Sequence, residues 1–465
     1  MWFLDRLVIP ASNEHITLLR YLLTLTSIIF NSYCSVALIL SSISMYFHLL
    51  GRRRENTLYL RFSRDLIGLA APSTSVVVTF AGVPLITLSL LYTQLLNAAN
   101  TTVPALVTAS TILFLAGFGF ISIYKYTFHL SRALLAFRKF AESQESALEQ
   151  DLRVGINSLE RSTYRLWRRA GFSGVMLLWI AAYIYVGALL LAVDTRRWGV
   201  ADSLFAVLFS PSTLWGFITF VSAAFVVSSG AILFFFFVWE GGISHLDAEY
   251  SGFVRRFTLI MGLIFAALQP VLIFIDLWLL PGHALSNGVF ALSALALFIA
   301  FLLFQLFYLM FKDGGLNLNA YIFVGVLLLV FLGAMKDGIA FRTATRAHDQ
   351  LLSARYVEMV KALTPGSSAV VVSGEEIYNT RCSACHRFDR KLVGPPYNEV
   401  LPQFIGRMDA LEDFIMNPRP VLPGYPPMPN QGLKPAEVRA VAKYIMDVYL
   451  STRKEAVKDT TKASS

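Results

Sequence analysis

Cys382, Ser383, Ala384, Cys385 and His386 stand in the order C-x-x-C-H. Two thiols three residues apart can both bond the edge of one porphyrin, and the adjacent imidazole then reaches its iron, which is the attachment pattern of a c-type haem. A zinc or redox-exchange role for the cysteine pair lacks its partners. The only other cysteine is Cys34, inside an apolar stretch, and neither a second C-x-x-C nor a His-x-x-x-His follows. With so few cysteines a disulfide framework is not expected.

The residues around this motif supply the rest of a small domain. SGEEIYNTRCSACH resembles the first helix of class I (mono-haem) cytochromes c, with Gly374 and Tyr378 ahead of the cysteines. In LVGPPYNEVLPQFIGR, Gly394-Pro395 resembles the loop of that family in which a proline carbonyl, here that of Pro395, fixes the proximal histidine. AEVRAVAKYIMDVYL resembles the closing helix, with Ala440, Tyr444 and Ile445 toward the first helix and the haem. Between these parts the sixth ligand is expected, and GYPPMPNQGL offers Met428 in a loop stiffened by prolines. Met408, Met416 and Met446 read as core residues instead. Iron held by His386 and Met428 would have a raised potential and no open position, so the resemblance implies electron transfer through one covalent haem c.

The elements before this domain belong to a different solvent. The 465-residue chain is 56% hydrophobic, with a mean hydropathy of +0.59. Its apolar stretches are long enough for membrane helices, which need about 20 residues. Spans are expected near 17–48, 66–97, 104–127, 171–194, 211–239, 257–281, 288–311 and 318–336. The expected fold is therefore all-α: a polytopic membrane helix bundle at 1–336, an amphipathic segment and linker at 337–369, a class I cytochrome c domain at 370–450, and a disordered tail at 451–465. The segment 138–170 alternates charged and apolar residues and should lie on the membrane surface or extend a helix beyond it.

The formal charge of +9 does not point to nucleic acid, because the basic residues gather in short loops between spans. Arg52, Arg53, Arg54, Arg61, Arg64, Arg138, Lys139, Arg161, Arg165, Arg168, Arg169, Arg255, Arg256 and Lys312 fall on one side; Arg6, Arg196 and Arg197 fall on the other. The richer side is cytoplasmic by the positive-inside rule. The chain is thus expected to be a multi-pass protein of the bacterial inner membrane, with the N-terminus and the haem domain periplasmic. No cleavable leader is read at its start, so the first span should serve as its own insertion signal.

The bundle also resembles subunit I of cytochrome bd quinol oxidases, through LYLRFSRDLIGLAAPSTSVVVTFAG after the Leu49-Leu50-Gly51 turn and through TLWGFITFVSAAFVVSSGAILF. The haem-ligating histidines of that family fall here on Thr26 and Ile218, which cannot bind iron. His48, His129 and His245 lie at the cytoplasmic ends of spans and read as interfacial caps in preference to b-type haem ligands. His15, His283 and His348 read as solvated, and His15 leaves a quinone as a candidate cofactor. Asp276, within LIFIDLWLL, reads as snorkelling to water or as a proton-releasing or quinol-contacting group, and Lys336-Asp337 as a solvated pair. Expected partners are the lipid membrane, other membrane and periplasmic subunits of an electron-transfer complex, and a soluble cytochrome or similar carrier. The leading expectation is an electron relay. The competing one is a quinol-oxidising subunit of a bd-like oxidoreductase.

Overall fold

The computed structural model describes residues 11–96, 99, 102–143, 150–198, 204–239, 242, 247–313, 317–363, 373–419, 424–426 and 428–462. They are helices and turns, with no strand among them. The chain divides into two compact units, Met1–Tyr356 and Val357–Ser465. The 364–368 linker, Arg6 and His245 lie outside the described residues.

The first unit is a bundle of long helices: α1 (Asn13–Arg53), a shorter α2 (Thr57–Ala70), α3 (Thr74–Leu95), α4 (Thr102–Ser143), α5 (Gln150–Val193), α6 (Pro211–Phe237), α7 (Ala248–Leu279), α8 (Asn287–Asp313) and α9 (Asn319–Ala344). Eight of these, all but α2, are long and apolar enough to cross a membrane. At a rise of about 1.5 Å per residue, the 41-residue α1 outruns a hydrocarbon core of roughly 30 Å. Large apolar side chains face outward along the unit, among them Phe298, Phe301, Tyr321 and Val324, as lipid-facing residues do.

Small residues set how closely the helices approach. A Cβ on Gly117 of α4 would come within 2.9 Å of Leu178, and one on Gly174 of α5 within 2.9 Å of Ile121, so these two helices touch reciprocally through glycine. Segment 138–170 extends them: α4 runs on to Ser143 and α5 begins at Gln150.

The expected second span, 66–97, is two helices. Ala71-Pro72 interrupts it, since proline has no N–H to donate and disfavours a helical residue before it. Ser73 restarts the helix by accepting from the Val76 N–H. Lys125 of α4 closes the break by donating from Nζ to the carbonyls of Ala71 and Pro72. The charge on Lys125 is thereby matched to backbone oxygens that the break leaves free.

Two charged contacts join helices far apart in sequence. Arg20 of α1 is buried, donates to both carboxylate oxygens of Asp349 at 2.6 and 2.7 Å, and lies over the Phe341 ring. Asp276 of α7 pairs with Lys336 of α9, whose ammonium also lies 3.2 Å from Asp337. Lys336-Asp337 is therefore not a simple solvated pair: Lys336 turns into the bundle because Asp276 meets it there, and Asp337 remains largely exposed. Asp276 accordingly satisfies its charge through a partner rather than by snorkelling alone. Lys336→Met should destabilise the bundle by about 3 kcal/mol, the low end of the loss when one member of a buried pair is removed. Thermal unfolding of the detergent-solubilised protein measures this, and an unchanged midpoint would show that the pair contributes nothing.

His48 is a satisfied core histidine. Its ring stacks on Trp167 at 4.0 Å, its Nδ1 lies 3.2 Å from the Tyr124 hydroxyl, and Arg52 lies over Trp167. His129 and His15 are exposed. His283 contacts the Val193 carbonyl and the Thr195 hydroxyl, so it is held by the protein and not merely solvated. His348 is half-buried with Trp198 edge-on to it, and burial lowers its proton affinity. Thr26 is buried, while Ile218 is half-exposed on the outer face of α6.

After α9, Arg346–Leu363 is helical (α10). The second unit contains a short α11 (Gly374–Ile377) that continues as a wide π turn over Tyr378–Cys382, then α12 (Tyr397–Val400), α13 (Met408–Met416) and α14 (Pro435–Lys462). α14 runs through Lys462, so the segment 451–462, read as disordered, is helical. Its run Arg453-Lys454-Glu455-Ala456, with Lys458 and Lys462 after it, favours helix once a packed helix stands before it.

Candidate haem site

Ser373 caps α11 by accepting from the Glu376 N–H, and Glu375 and Glu376 place negative charge at the positive end of that first turn. Gly374 lets α11 cross α14 at contact distance, because a Cβ there would lie 2.1 Å from the Ala440 carbonyl oxygen and 2.6 Å from the Tyr444 Cβ. Tyr378 lies 5.7 Å from Tyr444, ring centre to ring centre. The closing helix thus meets the first helix through the residues expected to do so.

The wide turn carries Cys382 to a buried position, and Ser383 closes it by donating to the Tyr378 carbonyl at 2.7 Å. The chain then bends so that Cys385 and His386 both donate to the Cys382 carbonyl, at 3.1 and 2.9 Å. Burial holds the Cys382 thiol in its protonated form, and Tyr397 opposes this by hydrogen bonding to the thiol. Cys385 is half-buried and near enough to Cys382 to disfavour its ionised form. The two cysteines are not joined to each other.

His386 is fixed from three directions. Its Nδ1 donates to the Pro395 carbonyl at 3.0 Å, which leaves Nε2 as the free ligating nitrogen. Gly394 donates to the Cys385 carbonyl at 2.9 Å. Tyr397 stacks on the imidazole at 5.0 Å with the planes 11° apart. Gly394 must lack a side chain, since a Cβ would fall 2.3 Å from His386 Cε1. Gly394→Ala should therefore displace the ring and destabilise the domain by about 1–3 kcal/mol, the usual result of overpacking. A melting curve identical to the parent's would contradict this.

His386, Cys382, Pro395 and Met428 all line one cavity. Its walls are mostly apolar, with Leu401, Leu411, Ile415 and Ile445 from the domain core. The structure thus brings together every expected site residue except Cys385, which is not among the lining residues. Met446 is buried in that core, and Met408 and Met416 pack against it. A flat apolar group ligated on two faces fits this cavity: imidazole and thioether are both present, and little else in the walls is polar. Gln403, Arg419 and Gln431 are lining side chains able to donate to acidic groups on such a ligand, as are the hydroxyls of Tyr397 and Tyr425. Sequence reasoning missed them, together with the Tyr397 stack. Only the place of Tyr397, two residues after Pro395, marked it out.

Residues 369–445 match the family described as Cytochrome C oxidase, cbb3-type, subunit III. A cytochrome c-551 of Azotobacter vinelandii is 35% identical over 78 residues, which are 16% of this chain and 95% of that protein. A cytochrome c-552 of Hydrogenobacter thermophilus is 30% identical over 87 residues, 18% of this chain and 89% of that protein. The chain belongs to the cytochrome c family through this domain. Its cofactor is a covalent haem c, and the cytochrome c domain makes the chain an electron-transfer protein joined to a membrane-anchoring helical region. A cytochrome c-551 of Pseudomonas aeruginosa, 35% identical over 71 residues, covers 15% of this chain and 68% of its own length.

Proposed function

We propose that this chain is a membrane-anchored mono-haem subunit of a respiratory or photosynthetic electron-transfer complex. It relays electrons through a haem c bonded by Cys382 and Cys385 and ligated by His386 and Met428. The observation that carries this reading is the cavity itself, an apolar space lined by both His386, oriented through Pro395, and Met428. The group bound there supplies one-electron redox chemistry. Cys382 and Cys385 would hold that group covalently, each thiol adding across one vinyl group with its sulfur on one carbon and its proton on the other. The Pro395 carbonyl makes His386 a better donor to iron, and the apolar walls keep water from the metal, so both tune the potential. His386 and Met428 would together fill the ligand positions of the iron and leave none for substrate, which favours relay over catalysis. Partners are then neighbouring membrane or periplasmic subunits and a soluble carrier.

The domain boundaries 337–369 and 370–450 and the periplasmic placement belong to the same proposal. Eight spans put the residues before the first and after the last on one side of the membrane. The basic residues at the end of α1, the start of α7 and the end of α8 support the reading of the opposite side as cytoplasmic. Protease added to sealed right-side-out vesicles should release a haem-staining fragment, and added to inside-out vesicles should not. The reverse pattern would place the haem in the cytoplasm and remove a periplasmic carrier as partner.

A further inference from the structure

The loop that carries Met428 cannot be held in the usual way. Pro426, Pro427 and Pro429 have no N–H to donate, so the backbone around the methionine has few hydrogen bonds to make. Gly424 and Gly432 frame it in left-handed conformations, at φ 92° and 64°, which turn the chain out and back. After Met428, Asn430 donates from its side chain to the Met416 carbonyl at 3.0 Å, tying the loop to α13. Before Met428, a contact crosses from the opposite loop: the Lys391 ammonium lies over the Tyr425 ring, 4.2 Å from its centre.

The two residues come from different loops. Lys391 is in the segment between His386 and Pro395, itself anchored where Gly394 donates to Cys385 and Tyr397 donates to the Arg387 carbonyl. Tyr425 lines the cavity on the Met428 side, three residues before the methionine. We propose that Lys391 and Tyr425 form a latch between the His386 loop and the Met428 loop, a positioning pair that keeps the thioether on the iron. This rests on the reading of Met428 as a ligand. Lys391 is exposed and Tyr425 half-buried, so neither carries the domain's core. The effect belongs to the opening of the loop and not to folding.

The test uses the purified full-length ferric protein and imidazole, which enters the sixth position only when the methionine leaves. Lys391→Ala and Tyr425→Ala should each raise imidazole affinity about two- to fivefold, as loss of an exposed cation–π contact implies. The double variant should show no more than either single one, because one contact is removed in all three. Lys391→Arg and Tyr425→Phe retain a cation and a ring and should bind as the parent does. Unchanged affinity in both alanine variants, or effects that multiply in the double variant, would overturn the latch. A parent protein lacking the methionine-to-iron charge-transfer band would instead sink the ligation reading beneath it, so the two failures are distinguishable.

Discussion

Replacing both Cys382 and Cys385 with serine is expected to leave a full-length chain that inserts in the membrane but carries no haem through denaturation. On the proposed reading the thioether bonds from Cys382 and Cys385 are the covalent hold, and the apolar lining residues would contact the porphyrin without bonding it. A single replacement should leave one bond and a weaker haem stain. Haem staining on a denaturing gel, normalised to the polypeptide, measures both. Undiminished staining in the double variant would mean that the haem is attached elsewhere.

Met428→Ala should have the second large effect, and on a different property. Haem attachment should persist, because it depends on the cysteines, while the sixth position opens. A water or an added ligand then replaces the thioether, a weak donor that favours ferrous iron, and the midpoint potential should fall on the order of 100 mV within the roughly 0.8 V that axial ligands span. Cyanide or imidazole should bind without the lag set by loop opening. A potential and ligand affinity equal to the parent's would assign the sixth position to another group.

The haem domain was legible because its chemistry fixes spacing. Cys382, Cys385 and His386 must sit within one turn to reach one porphyrin, and Gly394 and Gly374 are required by contacts that a single Cβ would destroy. These constraints are local, or act through one residue type, so they survive in the sequence. The bundle showed its spans by hydropathy and hid what joins them. Asp276 and Lys336 are 60 residues apart and Arg20 and Asp349 are 329 apart, and nothing near either partner announces the other. The break at Ala71-Pro72 was read through because the stretch stays apolar on both sides, and Lys125, which closes it, comes from another helix. The lining role of Arg419 and Tyr425 depends on how loops fold over the cavity, which no periodicity reports.

The most direct test is mass spectrometry of the purified protein, intact and after proteolysis. The account predicts an intact mass exceeding that of the chain by one haem, with the added mass retained on the peptide that contains Cys382, Cys385 and His386. A chain at its bare polypeptide mass after expression in cells that mature c-type cytochromes, or a haem carried on any other peptide, would contradict it.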